Sequence, residues 1–352
     1  MSGEYQRPFA EAGGLRLHLN ENTGGCSPRV LDAIRALDAG EIAFYPEYDE
    51  VVRESAVYLG VPSDWTLLVN GLDEGILAAT VAAAQAHVIR GGGGERPESI
   101  VPQPAFDMYG VCTGAVGGVV VDVAPRRDLA FPLAGVLDAI RPATRLVFVT
   151  SPNNPTGVRV TLDDIARVAG AVPAGALVFV DEAYHDFCGD TAVPLLADHP
   201  NVVVGRTFAK GHGLAALRAG CVIARPATLA PLRRVVPPYS LNVCAAAGLR
   251  AALRDTGHLR AYIEQVRTSR DLVYAACRRI GLEYWESGAN FVLVRVGERA
   301  SALVEQLAAR GIFVRDRTGD PGCAGCVRMT AGVVEHTERC LAAMEEILCA
   351  AP

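Results

Sequence analysis

The stretch RTFAKGHGLAALR, residues 206–218, contains Lys210, and every other basic side chain of the chain except its histidines is an arginine. The two residue types differ in one property that matters for chemistry. A desolvated amine in an electropositive site gives up its proton and attacks a carbonyl, whereas a guanidinium stays protonated. Lys210 is therefore a candidate covalent catalyst. The bland alternative is a single leftover surface lysine, and the neighbouring segments decide between them.

Three apolar runs, RLVFVT (145–150), ALVFVD (176–181) and NVVVGR (201–206), precede SPNNPTG, DEAYHDF and TFAK respectively. Runs that are apolar at consecutive positions suit central parallel strands covered on both faces. Ligands of such sheets bind beyond the carboxyl ends of the strands. An amide (Asn154), a carboxylate (Asp181), a phenol (Tyr184) and the amine are thus expected in one crevice. VFVDEAY also has the form of an acidic pair serving magnesium in an ATPase. That function needs a phosphate loop of the form G-x-x-x-x-G-K-[ST], and the only lysine precedes Gly211 and His212, so the loop is missing.

An amine that forms a Schiff base with an aldehyde suggests pyridoxal phosphate, and candidates for each part of such a site are present. A carboxylate must keep the ring nitrogen protonated; Asp181 is the candidate, with a strand-end cap or salt bridge as the alternative. Asn154 and Tyr184 are candidate partners of the ring hydroxyl, although NNPTG is also ordinary turn chemistry. Thr207 and Arg218 flank the lysine, and NGLDEG places Leu72 and Asp73 at a helix mouth where backbone N–H groups face an anion. The same segment also reads as a simple N-cap. Phe106, in PQPAFDMY, is a flat surface for the ring or a core residue.

The elements that must position these groups alternate short apolar runs with helical patterns, the sequence form of a βαβ sheet. From about residue 248 a long helix-periodic stretch leads to strand-like NFVLVRV and CVRMT, which reads as a second α+β domain reached through a long helix. GILAATVAAAQAHVI reads as a buried alanine-rich helix, and RGGGGERPES as a connection.

The segments LHLNENTGG, FYPEYDE, NGLDEGI, PQPAFDMY, SPNNPTG, DEAYHDF, RTFAKGHGLAALRAG and GIFVRDR…CVRMTAG occur in this order across nearly the whole chain. Together they resemble the fold-type-I pyridoxal-phosphate aminotransferases, most closely the histidinol-phosphate branch. The resemblance implies an α/β fold, with a large cofactor domain built on a mostly parallel sheet (41–247) and a smaller α+β domain (1–40 and 248–352). It implies Lys210 as the Schiff-base lysine, Asp181 as partner of the pyridine nitrogen, and Asn154 with Tyr184 at the ring hydroxyl. Phe106 takes the stacking position, and Leu72, Asp73, Thr207 and Arg218 form the phosphate cup. Tyr45 falls where the family lends a tyrosine to the neighbouring subunit's phosphate, which implies a homodimer. Arg328 takes the place that clamps the substrate's α-carboxylate and Arg315 the place that helps hold the phosphate of histidinol phosphate, with Asn22 and Tyr5 as further substrate contacts. The implied reaction is transfer of an amino group, with 2-oxoglutarate as acceptor. A decarboxylase or a cyclising lyase of the same fold shares the cofactor residues, and a non-catalytic binding module is the reading from another class.

Three features depart from the family pattern: Ala209 stands where serine is usual, Thr23 stands where proline is usual, and the amino-terminal segment lacks the usual Tyr–Pro–Gly pattern. Half of the 352 residues are apolar and the formal net charge is -6, without a basic face for nucleic acid. No export signal or membrane span is recognisable, so a cytoplasmic location is expected. The ten cysteines then read as reduced core residues. Cys323 and Cys326 form a lone CxxC, read as a tight glycine loop ahead of a strand rather than a metal site.

Overall fold

A computed structural model describes residues 13–89 and 95–349. Tyr5 and residues 90–94 of the glycine-rich connection lie outside the described residues. In chain order the strands are β1 (Leu15–Arg16), β2 (Thr66–Asn70), β3 (Glu98–Pro102), β4 (Val119–Val123), β5 (Thr144–Thr150), β6 (Leu177–Asp181) and β7 (Val202–Thr207). They continue as β8 (Ala219–Ile223), β9 (Glu283–Tyr284), β10 (Phe291–Arg295), β11 (Ile312–Phe313), β12 (Arg315–Asp316) and β13 (Cys326–Thr330).

The three consecutive apolar runs became β5, β6 and β7, which lie side by side and parallel. They sit inside a seven-stranded sheet of order β2-β8-β7-β6-β5-β3-β4, in which β8 runs antiparallel to both neighbours. Alternate residues of one strand feed two cores. Val178 and Val180 point into the layer that holds Ile165 and Leu249, while Phe179 points into the layer that holds Ile76 and Tyr109. Both faces are buried, which is why these strands show no polar alternation. The alanine-rich stretch forms the helix Leu72–Ile89, packed on one of those faces.

The long helix expected after residue 248 is two helices, Val243–Arg254 and Thr256–Ile280. Asp255 ends one and caps the next: its carboxylate accepts from the His258 N–H and from Ser27 Oγ. The break is also where packing changes sides. Leu249 and Leu253 belong to the core of the large sheet, whereas Val273 and Cys277 belong to a separate core with Val292 and Met344. That second core covers the four-stranded sheet β12-β13-β10-β9.

The N-terminal segment joins the two bodies. β1 runs parallel to β11, and Thr330 N–H donates to Leu17 O (2.9 Å). The next helix, Pro28–Arg35, capped by Ser27, packs Val30 on the large core against the helix Val243–Arg254. Residues 28–35, expected with the smaller domain, thus pack on the larger one, because their apolar face is buried there. Thr23 accounts for its departure from proline: its Oγ1 accepts from Val333 N–H at 2.8 Å.

Candidate functional site

The carboxyl ends of β5, β6 and β7 open onto a cavity of about 480 Å³ between the two bodies. Lys210, Asp181, Tyr184, Asn154, Phe106 and Thr207 line it, together with Leu72, Asp73, Arg218, Arg315 and Arg328. Asn22 and Tyr45 do not. The Asn22 amide donates to Gly211 O (2.9 Å) and its oxygen accepts from Gly24 N–H, so it ties the N-terminal segment to the lysine loop. Tyr45 is 75% exposed and stacks on Tyr239 with ring centroids 4.1 Å apart.

Lys210 Nζ donates to the carbonyl of Leu19 at 3.0 Å. Burial, reinforced by the nearby Arg328, lowers its pKa from the ordinary 10.5 to about 8. A neutral amine is therefore within reach near physiological pH, the state that a nucleophile or proton shuttle requires.

Asp181, the last residue of β6, is 4% exposed. Its Oδ1 accepts from Ala183 N–H (3.0 Å) and its Oδ2 from Tyr109 Oη (2.8 Å). Burial still dominates these donors and raises its pKa to about 6. Glu182 turns the other way, to Arg206 Nε (2.7 Å) and Ala192 N–H. The two adjacent acids therefore never act as a pair, in keeping with the failure of the ATPase reading.

Tyr109 went unassigned in the sequence. It follows Phe106 by three residues, and this spacing, which brings two side chains together on a helix or in a turn, was the signal available. Its ring stacks on Phe148 (centroids 4.3 Å apart) and meets Phe106 edge-on at 5.8 Å, while its hydroxyl also bonds Thr150 Oγ1 at 2.7 Å. Tyr109→Phe removes a donor from a buried carboxylate. The expected outcome is a loss of about 1–3 kcal/mol in urea denaturation; an unchanged midpoint would deny the bond any weight.

Asn20 was also missed. It occupies the left-handed region (φ 56°) and donates from Nδ2 to Tyr184 Oη at 2.9 Å, which fixes the phenol in the cavity. Burial pushes the Tyr184 hydroxyl up. Arg328, 5% exposed, donates to His18 O (2.6 Å) and to Asn154 Oδ1, and burial lowers it to about 10.

At the other end, Arg218 takes the left-handed region (φ 58°) and reaches Asp73 at 3.0 Å beside the start of the helix Leu72–Ile89. Gly71 suits this turn because its φ of 76° strains any residue with a side chain, and a Cβ there would also displace the Arg218 guanidinium, 2.3 Å away at Nη2. Positive charge and a helix N-terminus together make an anion cradle. Ala209, in the position of the usual serine, is buried and contributes no hydroxyl.

Cys323 and Cys326 fall in a turn that runs into β13, with Cys326 N–H bonded to Cys323 O (2.9 Å) and Gly325 at φ 70°. All ten cysteines are free thiols. Among the described residues no cluster of His, Cys, Asp and Glu could hold a metal ion, and no helix is long and apolar enough to cross a membrane.

Residues 12–344 match the family model of aminotransferase class I and II. The chain is 36% identical over 346 residues to histidinol-phosphate aminotransferase 2 of Ralstonia nicotianae, an alignment that covers 96% of this chain and 89% of that protein. Its structure is similar to that of histidinol-phosphate aminotransferase from Sinorhizobium meliloti in complex with pyridoxal-5'-phosphate: TM-score 0.82, 26% identity, 95% of this chain and 90% of that one. An aspartate aminotransferase variant of Thermus thermophilus shares the fold, with a TM-score of 0.76 at 22% identity over 94% of this chain and 95% of that one.

Proposed function

The chain belongs to the aminotransferase class I and II family, and from that premise we propose that it holds pyridoxal 5'-phosphate and moves the amino group of histidinol phosphate to a 2-oxo acid, 2-oxoglutarate first among them. The observation that carries this reading is a single amine of lowered pKa sharing one cavity with a buried carboxylate and with arginines at both ends.

The residues present fit the cofactor. The cradle of Gly71, Arg218, Thr207 and the helix start at Leu72 and Asp73 suits its phosphate. Asp181 suits its ring nitrogen, Asn154 and Tyr184 its hydroxyl, and Phe106 its flat face. When bound, pyridoxal phosphate supplies an aldehyde for the donor's amine and a protonated ring that withdraws electrons from the donor's Cα.

The chain's own residues do the rest. Asp181, tied by Tyr109 and Ala183, holds a proton on the ring nitrogen. Lys210, whose hold on its proton burial weakens, would take the proton from the donor's Cα, a task suited to a pKa near the working pH. Arg328 and Arg315 draw the donor's anionic end to the opposite wall, so that the reacting carbon is fixed relative to the amine.

Tyr45 supports a two-subunit site. It is exposed beside Phe44 (77%) and Ile42 (65%), an apolar patch that fits a second copy of the chain. We assign Tyr45 to the partner's cofactor phosphate, and place the enzyme in the cytoplasm, where its free thiols would persist.

A panel of amino donors added to the holoenzyme tests the reading. Histidinol phosphate is expected to change the absorbance of the bound cofactor and to yield one equivalent of keto product. A response to phenylalanine or tyrosine but not to histidinol phosphate would overturn the substrate, and release of carbon dioxide would overturn the reaction.

A further inference from the structure

His18 is 2% exposed, lines the cavity, and has no partner for either ring nitrogen. A buried polar atom left without a hydrogen bond costs about 1–3 kcal/mol, so a group in this condition on a ligand cavity points to a ligand. Its neighbours say of what kind. The pairing of β1 with β11 continues through Leu17 N–H to Phe313 O (2.7 Å), which brings His18 beside the chain that carries Arg315. β12 and β13 set Arg315 directly opposite Arg328. Arg317, two residues on, also lines the cavity.

Like charges directly opposed across an antiparallel pair repel. Among the described residues no ion pair engages Arg315 or Arg328; Arg317 is held by Asp320, and Arg16 by Glu21 at 2.7 Å. The Nε atoms of Arg317 and Arg328 are buried without partners, like the nitrogens of His18. The row is assembled for an anion. Burial, with the charges of Arg16, Arg315 and Arg328, lowers His18 to about 4, so its ring is a neutral imidazole with one N–H to give.

A carboxylate has two oxygens in one plane, and one guanidinium fork satisfies both. A phosphomonoester has three terminal oxygens in a tetrahedron and needs donors from a further direction. We propose that His18, supported by Arg317, is a specificity-determining residue that donates to a phosphoryl oxygen beyond the reach of the Arg315–Arg328 pair, and so favours phosphorylated donors over those ending in a carboxylate. The inference rests on the reading of the site as one for a phosphorylated donor, and it adds which residues make that choice.

The test uses the holoenzyme, whose own phosphate cradle is filled by the cofactor. Inorganic phosphate is titrated calorimetrically into the wild type, His18→Ala and His18→Asn, and the KM for histidinol phosphate is divided by the KM for 2-oxoglutarate in each. His18→Ala is expected to weaken phosphate binding by about tenfold or more, the scale of a hydrogen bond to a charged group, and to raise the KM ratio to a similar extent. His18→Asn, which keeps a donor, should recover part of both. Should His18→Ala fail to fold, Arg317→Gln is expected to move both quantities in the same direction. Unchanged phosphate affinity, or an equal rise in both KM values, would overturn the proposal. A wild type that does not turn over histidinol phosphate, yet loses phosphate affinity in His18→Ala, would remove the substrate assignment and leave the subsite standing.

Discussion

Lys210→Ala and Lys210→Arg are both expected to lose turnover by more than about 10⁴-fold, the upper end of what a positioned acid–base group contributes, with the covalent role added to it. The pair of variants separates the amine from its charge. Arginine keeps a cation in the cavity but does not release a proton near neutral pH, so it should be as inactive as alanine. Borohydride reduction of wild-type holoenzyme, followed by peptide mapping, should mark the peptide that contains Lys210, and neither variant should carry that mark. Normal transamination by Lys210→Ala would sink the assignment. The amine also leaves a trace in stability. Its pKa is lower in the folded chain (about 8) than its ordinary value of 10.5, so between these pH values the folded state binds fewer protons than the unfolded one. Stability of the cofactor-free wild type relative to Lys210→Ala should therefore rise as pH climbs through that window.

Asp181→Asn is expected to lower kcat by about 10²–10³-fold, the range for removing one preorganised electrostatic partner from a water-poor site. The substitution keeps the shape and leaves Oδ1 to accept from Tyr109 or Ala183, but it removes the charge that, on the proposed reading, would hold a proton on the ring nitrogen. Lys210 should remain available to borohydride labelling in this variant, which separates lost electron withdrawal from lost cofactor. A change in kcat below about tenfold, with the cofactor fully bound, would show that the ring nitrogen does not depend on this carboxylate.

The parts of the site that come from local sequence were readable in advance. Continuous apolar runs became β5, β6 and β7, and the polar residues at their ends met in one cavity because parallel strands end on the same side. The residues that were missed depend on register between distant segments. Nothing local marks Asn20 as the support of Tyr184, or His18 as the neighbour of Arg315, until β1 is laid beside β11. The break at Asp255 had a local signal, since Asp-Thr-Gly interrupts the helical pattern and aspartate is a good N-cap. Apolar periodicity continues on both sides of it, and that continuity hid the change of core.

The thread that runs from Leu17 to Asn20 sets an order on assembly. Asn20 N–H bonds Thr330 Oγ1 across 310 residues of chain, and Leu17 O accepts from the same threonine's N–H. The seven-stranded sheet is complete at Ile223, so it has all its strands long before a ribosome delivers Thr330. Contacts this remote in sequence carry the largest loop-closure cost and form late. During synthesis, then, the carbonyl of Leu19 that accepts the lysine's hydrogen bond lacks its support from β13 until that strand emerges, and a nascent chain released early would own a finished sheet and an incomplete reaction chamber.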